Sequence, residues 1–327
     1  MNTAVKITAF AAAVAATFGT AFAVGKGVDP VVADPPTGHG DHAAAPGASA
    51  GAGAGRGGHG AMPPGGLQVS QGGYTLDLKT PRIEAGRPDD LRFVITGDDG
   101  RAVTAFQRSH DKELHLIIAS RDLNTFRHVH PTRAADGTWS TPITLPEAGG
   151  YRVFADFTPD KKNAESLTLG ADLAAAGDFR PQPLPPASAT SKVDGYTVSL
   201  DGTLKPGAAS ELKLNVSKGG EPVTNLDPYL GAYGHLVALR SGDLAYLHVH
   251  PNGEPGDGTT RPGPAVSFTA TAPSAGTYRL FLDFQHEGKV HTAAFTVHTG
   301  RPTTPPTPTH DESPTERPGG DDDGHQH

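Results

Sequence analysis

HLIIASRDLNTFRHVHP at residues 115–131 and HLVALRSGDLAYLHVHP at residues 235–251 are two copies of one pattern. Without a gap, the copies share three histidines, the leucine after the first histidine, the valine between the last two and the closing proline. Histidine accounts for 16 of 327 residues, so a chance match at three positions is improbable. The chain therefore contains a duplicated unit, and its histidines are the leading candidates for a functional site.

The duplication extends on both sides of the histidine pattern. GYTLDL at 73–78 matches GYTVSL at 195–200, and YRVFADF at 151–157 matches YRLFLDF at 278–284. Short alternating segments of this kind, with almost no helical periodicity, are typical of β-sandwiches of immunoglobulin-like size. We therefore predict an all-β fold with two tandem immunoglobulin-like β-sandwich domains, a disordered N-terminal tether and a disordered C-terminal tail.

Glycine and proline, at 42 and 30 residues, concentrate in particular segments and mark the boundaries between these units. Gly/Ala/Pro-rich and Pro/Thr-rich stretches without apolar periodicity predict flexible chain. The predicted organisation is a signal peptide or membrane anchor at 1–24, a disordered linker at 25–68, the first sandwich at 69–178, a Pro-rich linker at 179–191, the second sandwich at 192–299 and a disordered acidic, histidine-containing tail at 300–327.

The N-terminus carries an export signal. Lys6 precedes an apolar run from Ile7 to Val24, and Ala21-Phe-Ala23 offers a small-residue cleavage motif. The run is 18 residues long, close to the ~20 residues that span a bilayer, so retention as an N-terminal membrane anchor is the alternative to cleavage. In either case we expect an exported protein, either extracellular or anchored to the outer face of the cytoplasmic membrane.

Composition narrows the partners and the chemistry. The chain has no cysteine, which excludes disulfides, thiolate metal sites and a cysteine nucleophile. Its only methionines are Met1 and Met62, so a soft-ligand Cu(I) site is not expected. The formal net charge is -8 and no basic stripe is present, which argues against nucleic acid as a partner. The sequence does not identify a protein partner.

Side-chain alternation along strands brings the three histidines of a copy together. His128 and His130 share one face of a strand, and the residue between them points to the other face. A hairpin connection over residues 121–125 would place His115 beside them, because paired strands lie about 4.8 Å apart. Imidazole suits divalent Zn(II) or Cu(II). The predicted metal ligands are His115, His128 and His130 in the first half, and His235, His248 and His250 in the second.

Two aspartates at equivalent positions extend this ligand set. Asp156 and Asp283 lie in the matching YRxFxDF segments, on the opposite parity to the apolar core residues. Each aspartate is expected to be a fourth metal ligand or to orient an imidazole by a hydrogen bond. The alternative is a surface ion pair with Arg152 or Arg279.

The histidines also admit functions other than metal storage. A duplicated structural motif would preserve the spacing by itself, and the protein would then be a non-catalytic extracellular interaction module. The pattern from Gly242 through His248 and His250 to Glu254 resembles the first half of the cupin metal motif, which would imply a metalloenzyme. Arg261 stands where the closing glycine of that motif belongs. No residue beside the histidines is typical of a general base or nucleophile, so we do not expect an enzyme.

Over roughly residues 70–300 the chain resembles exported bacterial proteins of the actinobacterial type, described as heavy-metal-binding or secreted proteins. The segments that carry the resemblance are PYLGAYGHL at 228–236, LHVHP at 247–251 and FQHEGKVHTA at 284–293. The resemblance implies tandem immunoglobulin-like domains and an exported location. The first half departs from it, with RSHDKE at 108–113 in place of the PYLGA stretch. Metal buffering, resistance or delivery at the cell surface is the expected role.

Overall fold

The structure is a computed structural model that describes residues 63–247 and 249–300, without the side chain of His250. Over this part of the chain there are 21 β-strands and no helix, which confirms the all-β prediction. None of these residues forms a helix that is long and apolar enough to cross a membrane. The predicted signal or anchor at 1–24, most of the 25–68 linker and nearly all of the tail lie outside the described residues.

The strands are β1 (Ser70–Gln71), β2 (Tyr74–Leu78), β3 (Arg82–Glu84), β4 (Asp89–Thr96), β5 (Phe106–Gln107), β6 (Leu114–Ser120), β7 (Phe126–Val129), β8 (Thr132–Arg133), β9 (Thr138–Ile143), β10 (Gly149–Pro159), β11 (Leu167–Ala176), β12 (Thr190–Val193), β13 (Tyr196–Asp201), β14 (Ala209–Lys218), β15 (Glu221–Pro222), β16 (His235–Arg240), β17 (Tyr246–Leu247), β18 (Val249–Pro251), β19 (Ala265–Thr271), β20 (Thr277–His286) and β21 (Lys289–His298).

The first sandwich consists of a five-stranded sheet, in the order β1-β2-β4-β9-β8, and a second sheet, in the order β3-β11-β10-β6-β7 with β5 paired to β10. All of these pairs are antiparallel except β3–β11, which is parallel. The core between the sheets is formed by alternate residues of each strand, such as Leu91, Phe93 and Ile95 of β4, which are fully buried.

The second sandwich repeats this plan. One sheet has the order β12-β13-β14-β19-β18 with β15 paired to β14, and the other has the order β17-β16-β20-β21. Leu212, Leu214 and Val216 of β14 fill the core in the manner of their β4 counterparts. The tandem immunoglobulin-like sandwiches that the sequence predicts are present.

A third apolar cluster lies where the two sandwiches pack against each other. Ile117 of β6, Phe154 of β10, Val237 of β16 and Phe281 of β20 are all buried in it. The ring of Phe281 stacks on that of Phe126, with centroids 4.1 Å apart and planes 7° from parallel. In each sandwich, strand alternation directs these apolar residues, together with the histidines, away from the core. Their outward face is therefore the interface between the two sandwiches.

Residues 63–68, which the sequence assigns to the disordered linker, contact both sandwiches. Gly66 donates its N–H to the Thr168 carbonyl over 2.7 Å, and its own carbonyl accepts from Arg152 Nε at 2.7 Å. The Gly65 carbonyl accepts from the Tyr246 N–H at 2.9 Å. A Cβ at Gly170 would lie 2.0 Å from the Gly66 carbonyl oxygen, so only glycine allows this approach. Residues 63–68 are therefore held against the sandwiches by hydrogen bonds that composition does not reveal, although the sequence assigned them to the disordered linker.

Candidate metal centre

The hairpin of β6 and β7 brings together the three histidines predicted in the first sandwich. It places Ile117 opposite His128, which fixes the alignment of the two strands. His115 Nδ1 lies 3.2 Å from His128 Nε2 and 3.2 Å from His130 Nε2. One ring nitrogen of each histidine lies within 4.8 Å of the other two. The convergence that strand alternation predicts is present.

Hydrogen bonds on the far side of two rings fix which nitrogen carries the proton. His115 Nε2 lies 3.1 Å from the Ser109 carbonyl oxygen, and His128 Nδ1 lies 2.8 Å from Asp283 Oδ2. A carbonyl and a carboxylate can only accept, so both of these ring nitrogens are N–H donors. In the neutral rings, His115 Nδ1 and His128 Nε2 therefore carry lone pairs.

The facing lone pairs define the chemistry of the cluster. Two acceptor nitrogens 3.2 Å apart repel each other unless a proton or a metal cation lies between them. Zn–N bonds of about 2.0–2.1 Å at tetrahedral angles separate two ligand nitrogens by about 3.3 Å. The two separations from His115 Nδ1 are therefore close to the spacing of neighbouring ligands around one tetrahedral ion.

Burial keeps these rings uncharged. Desolvation, followed by the charge of the neighbouring His128, lowers the pKa of both His115 and His130 from 6.5 to about 3. At neutral pH neither His115 nor His130 therefore carries a second ring proton. Metal ions bind the neutral form of imidazole, so these histidines are available as ligands.

These pKa values predict how the stability of the metal-free protein depends on pH. Between pH 6.5 and about 3 the unfolded state holds protons on His115 and His130 that the folded state does not. The free energy of unfolding should be highest above pH 6.5 and fall as the pH drops towards 3. Urea unfolding of wild type and His130→Asn from pH 8 to pH 4 measures this, and we expect a shallower fall in the variant. Parallel pH profiles for the two proteins would contradict the prediction.

His235 of the second sandwich is oriented in the same way as His115. Its Nε2 donates to the Tyr229 carbonyl at 2.8 Å, as His115 Nε2 does to Ser109. Both carbonyls belong to tight turns whose two central residues have positive φ. In the first sandwich φ is 50° at His110 and 61° at Asp111, and in the second it is 50° at Leu230 and 73° at Gly231. The RSHDKE and PYLGA stretches, which differ in sequence, therefore form equivalent turns.

His235 also lies beside the first cluster. The centroid of its ring is 6.4 Å from that of His115 and 6.2 Å from that of His128. Desolvation by burial is the main cause that lowers its pKa to about 4. His248 and the side chain of His250 lie outside the described residues, so the second three-histidine set stays a prediction.

The two predicted aspartates occupy equivalent positions, each opposite the first histidine of its sandwich. Asp156 pairs with His115 across β10 and β6, and Asp283 pairs with His235 across β20 and β16. Asp283 is 3% exposed, and its Oδ1 accepts from Thr292 Oγ1 at 2.5 Å while Oδ2 faces His128. It therefore contacts the far side of an imidazole, as an orienting group does.

Asp156 is placed differently. Its Oδ1 accepts a hydrogen bond from Thr168 Oγ1 at 3.2 Å. Burial of Tyr246, followed by the nearby carboxylate of Asp156, raises the pKa of Tyr246 well above 10. Of the two arginines predicted as alternative partners of the aspartates, Arg152 donates to Asp172 at 2.8 Å, and Arg279 donates to Thr296 Oγ1 at 3.0 Å.

A cavity of about 250 Å³ lies beside the cluster and gives it open space. His115, His128 and His235 line it together with Asp156 and Tyr246. Sequence reasoning did not single out Tyr246, nor the carbonyl of Ser109. Ser109 lies 120 residues before Tyr229, and the same offset relates the histidines of the two copies. This repeat could have indicated that the two carbonyls occupy equivalent positions.

Fold and cluster together define a tandem immunoglobulin-like β-sandwich protein with a partly buried three-histidine cluster in its first sandwich. The chain belongs to the family described as Domain of unknown function (DUF8832), whose model matches twice, at residues 68–168 and 191–301. The two matches contain one copy each of the histidine pattern. No curated protein sequence matches the chain.

Solved structures with some similarity include FdeC, an adhesin of Escherichia coli, at 18% identity and a TM-score of 0.22, covering 70% of this chain and 65% of that one. Salmonella alpha-2-macroglobulin has 13% identity and a TM-score of 0.24, covering 72% and 16%. The D0-D1 domain of intimin has 12% identity and a TM-score of 0.21, covering 68% and 96%. This chain thus spans less than two thirds of the first two.

Proposed function

We propose that this protein binds a divalent transition-metal ion outside the cytoplasm through His115, His128 and His130. The observation that carries the proposal is the convergence of three imidazole rings, with His115 Nδ1 3.2 Å from His128 Nε2 and 3.2 Å from His130 Nε2. The low pKa values of His115 and His130 support it, because metal ions bind the neutral form of imidazole. The export signal in the sequence supports a location at the cell surface or beyond it.

Zn(II) fits this site better than Cu(II). Neighbouring ligands of a square-planar Cu(II) ion with bonds of about 2.0 Å would be about 2.8 Å apart, whereas tetrahedral Zn(II) ligands are about 3.3 Å apart. The two separations of 3.2 Å from His115 are nearer the tetrahedral value. Three protein ligands leave a fourth position for water or an exogenous ligand. Buffering, resistance or delivery of the ion are the roles that such a site would serve.

The test is the metal content of the purified protein, followed by titration with Zn(II) and Cu(II). Wild type should bind Zn(II) stoichiometrically, and His115→Ala should lose the site because His115 Nδ1 faces both other ligands. His298→Ala is the matched control, since His298 is exposed and hydrogen-bonds Thr277 away from the cluster. Absence of stoichiometric binding by wild type would refute the proposal.

The second candidate is a non-catalytic extracellular interaction module. Its support is the architecture itself, because two immunoglobulin-like sandwiches can present loops to a partner without any metal. If wild type binds no metal while the His115→Ala fold is unchanged, this second function becomes the better account of the duplicated chain.

A further inference from the structure

We infer that the ion held by the first sandwich also fastens the two sandwiches to each other, with Asp283 of the second sandwich as the positioning residue. The inference rests on the proposed metal-binding function. The observation that carries it is the 2.8 Å contact between His128 Nδ1 and Asp283 Oδ2, which crosses from one sandwich to the other.

Asp283 selects the form of His128 that can bind metal. Its carboxylate only accepts, so it holds the proton of His128 on Nδ1 and leaves the lone pair on Nε2, the atom that faces His115. Carboxylates in this position fix the ring orientation and raise the basicity of a ligating histidine. The second sandwich thus completes the site of the first.

The negative charge of Asp283 couples metal binding to the docking of the two sandwiches. Asp283 is a carboxylate at 3% exposure, and its hydrogen bonds within the described residues come from His128 and Thr292. Burying a carboxylate is costly unless positive charge compensates it. A divalent ion on Nε2 supplies that charge through the same imidazole ring. Tighter docking of the sandwiches and tighter metal binding therefore stabilise each other by the same free energy.

One face of β20 makes these contacts with the β6–β7 hairpin. Arg279, Phe281 and Asp283 alternate along the strand and so share a face. Arg279 Nε donates to the Leu123 carbonyl at 3.4 Å, and the ring of Phe281 stacks on Phe126. The apolar contact docks the sandwiches, and the Asp283–His128 contact ties that docking to the histidine cluster.

The experiment compares Asp283→Asn with Asp194→Asn in the full chain, with Zn(II) as the probe. Asp194 is the matched control because its Oδ2 also faces a histidine Nδ1 at 2.8 Å, that of His291, in the same sandwich but away from the cluster. Competition with a chromophoric chelator gives the Zn(II) Kd. Hydrogen exchange at residues 279–283 reports whether Zn(II) protects the second sandwich.

We expect Asp283→Asn to raise the Zn(II) Kd about 10–100-fold and to remove the protection that Zn(II) gives to β20. Asp194→Asn should match wild type in both measurements. Thr292→Val, which loosens the carboxylate without removing it, should have an intermediate effect and serves if Asp283→Asn does not fold. An unchanged Kd, or unchanged protection of β20, would overturn the inference. Failure of wild type to bind Zn(II) would instead refute the proposed function.

Discussion

Joint replacement of His128 and His130 by alanine should lower the affinity of the first sandwich for Zn(II) by more than about 1,000-fold. Loss of a single orienting partner typically costs 10–100-fold, and this variant removes two of three direct ligands. His115 would remain, with its Nε2 still bonded to Ser109, but one imidazole does not hold an ion at micromolar concentrations. Isothermal titration of the full chain with Zn(II) measures the effect.

The companion variant carries alanine at His248 and His250, the equivalent positions of the second half. It keeps the cluster of the first sandwich, so at least one tight site should survive. If the His128/His130 variant bound Zn(II) as tightly and with the same stoichiometry as wild type, the cluster would not be the site. A loss of one ion per chain in each variant would show that both halves bind.

Phe281→Ala should lower the free energy of unfolding by about 3–5 kcal/mol, the usual cost of emptying the space of a buried phenylalanine. Phe281 is 3% exposed and lies between the sandwiches, not within a core. Its removal also takes away the ring that stacks on Phe126 at 4.1 Å. Urea unfolding, followed by circular dichroism, measures the change.

Phe179→Ala is the control for this substitution, because Phe179 is 56% exposed and the same atoms are removed. We expect it to cost about 1 kcal/mol or less. Equal effects of the two substitutions would mean that Phe281 is not buried between the sandwiches in solution. A loss confined to Phe281→Ala supports a packed interface, on which the coupling through Asp283 depends.

Much of the candidate site could be predicted because the relevant physics is local. Side-chain alternation places His128 and His130 on one face, and a five-residue connection returns the chain to His115. Both inferences need only neighbouring residues. The same alternation puts Leu116 and Ile118 in the core, where they are fully buried. The metal-binding role of His115, His128 and His130 stays a prediction.

The interface could not be predicted in the same way. Ile117 and Phe154 lie on the same outward face as the histidines. The sequence of the first sandwich does not reveal that residues of the second sandwich pack against them. The role of Asp283 depends on His128, 155 residues away in the chain. Residues 63–68 were assigned to a linker by composition, but their carbonyls find donors such as Arg152 only in the folded protein.

The sequence by itself determined the duplication, the all-β fold and the two sets of three histidines, because period-two alternation and repeated spacing are written in the order of residues. Tertiary structure alone decided that the outward face is an interface, that Ser109 and Asp283 set the protonation of two rings, and that His235 lies beside the first cluster. The carbonyl of Ser109 reaches His115 only through a turn whose shape the sequence does not reveal. The interface and the contact of Asp283 with His128 arise only when the two sandwiches pack together, because they join residues far apart in the chain.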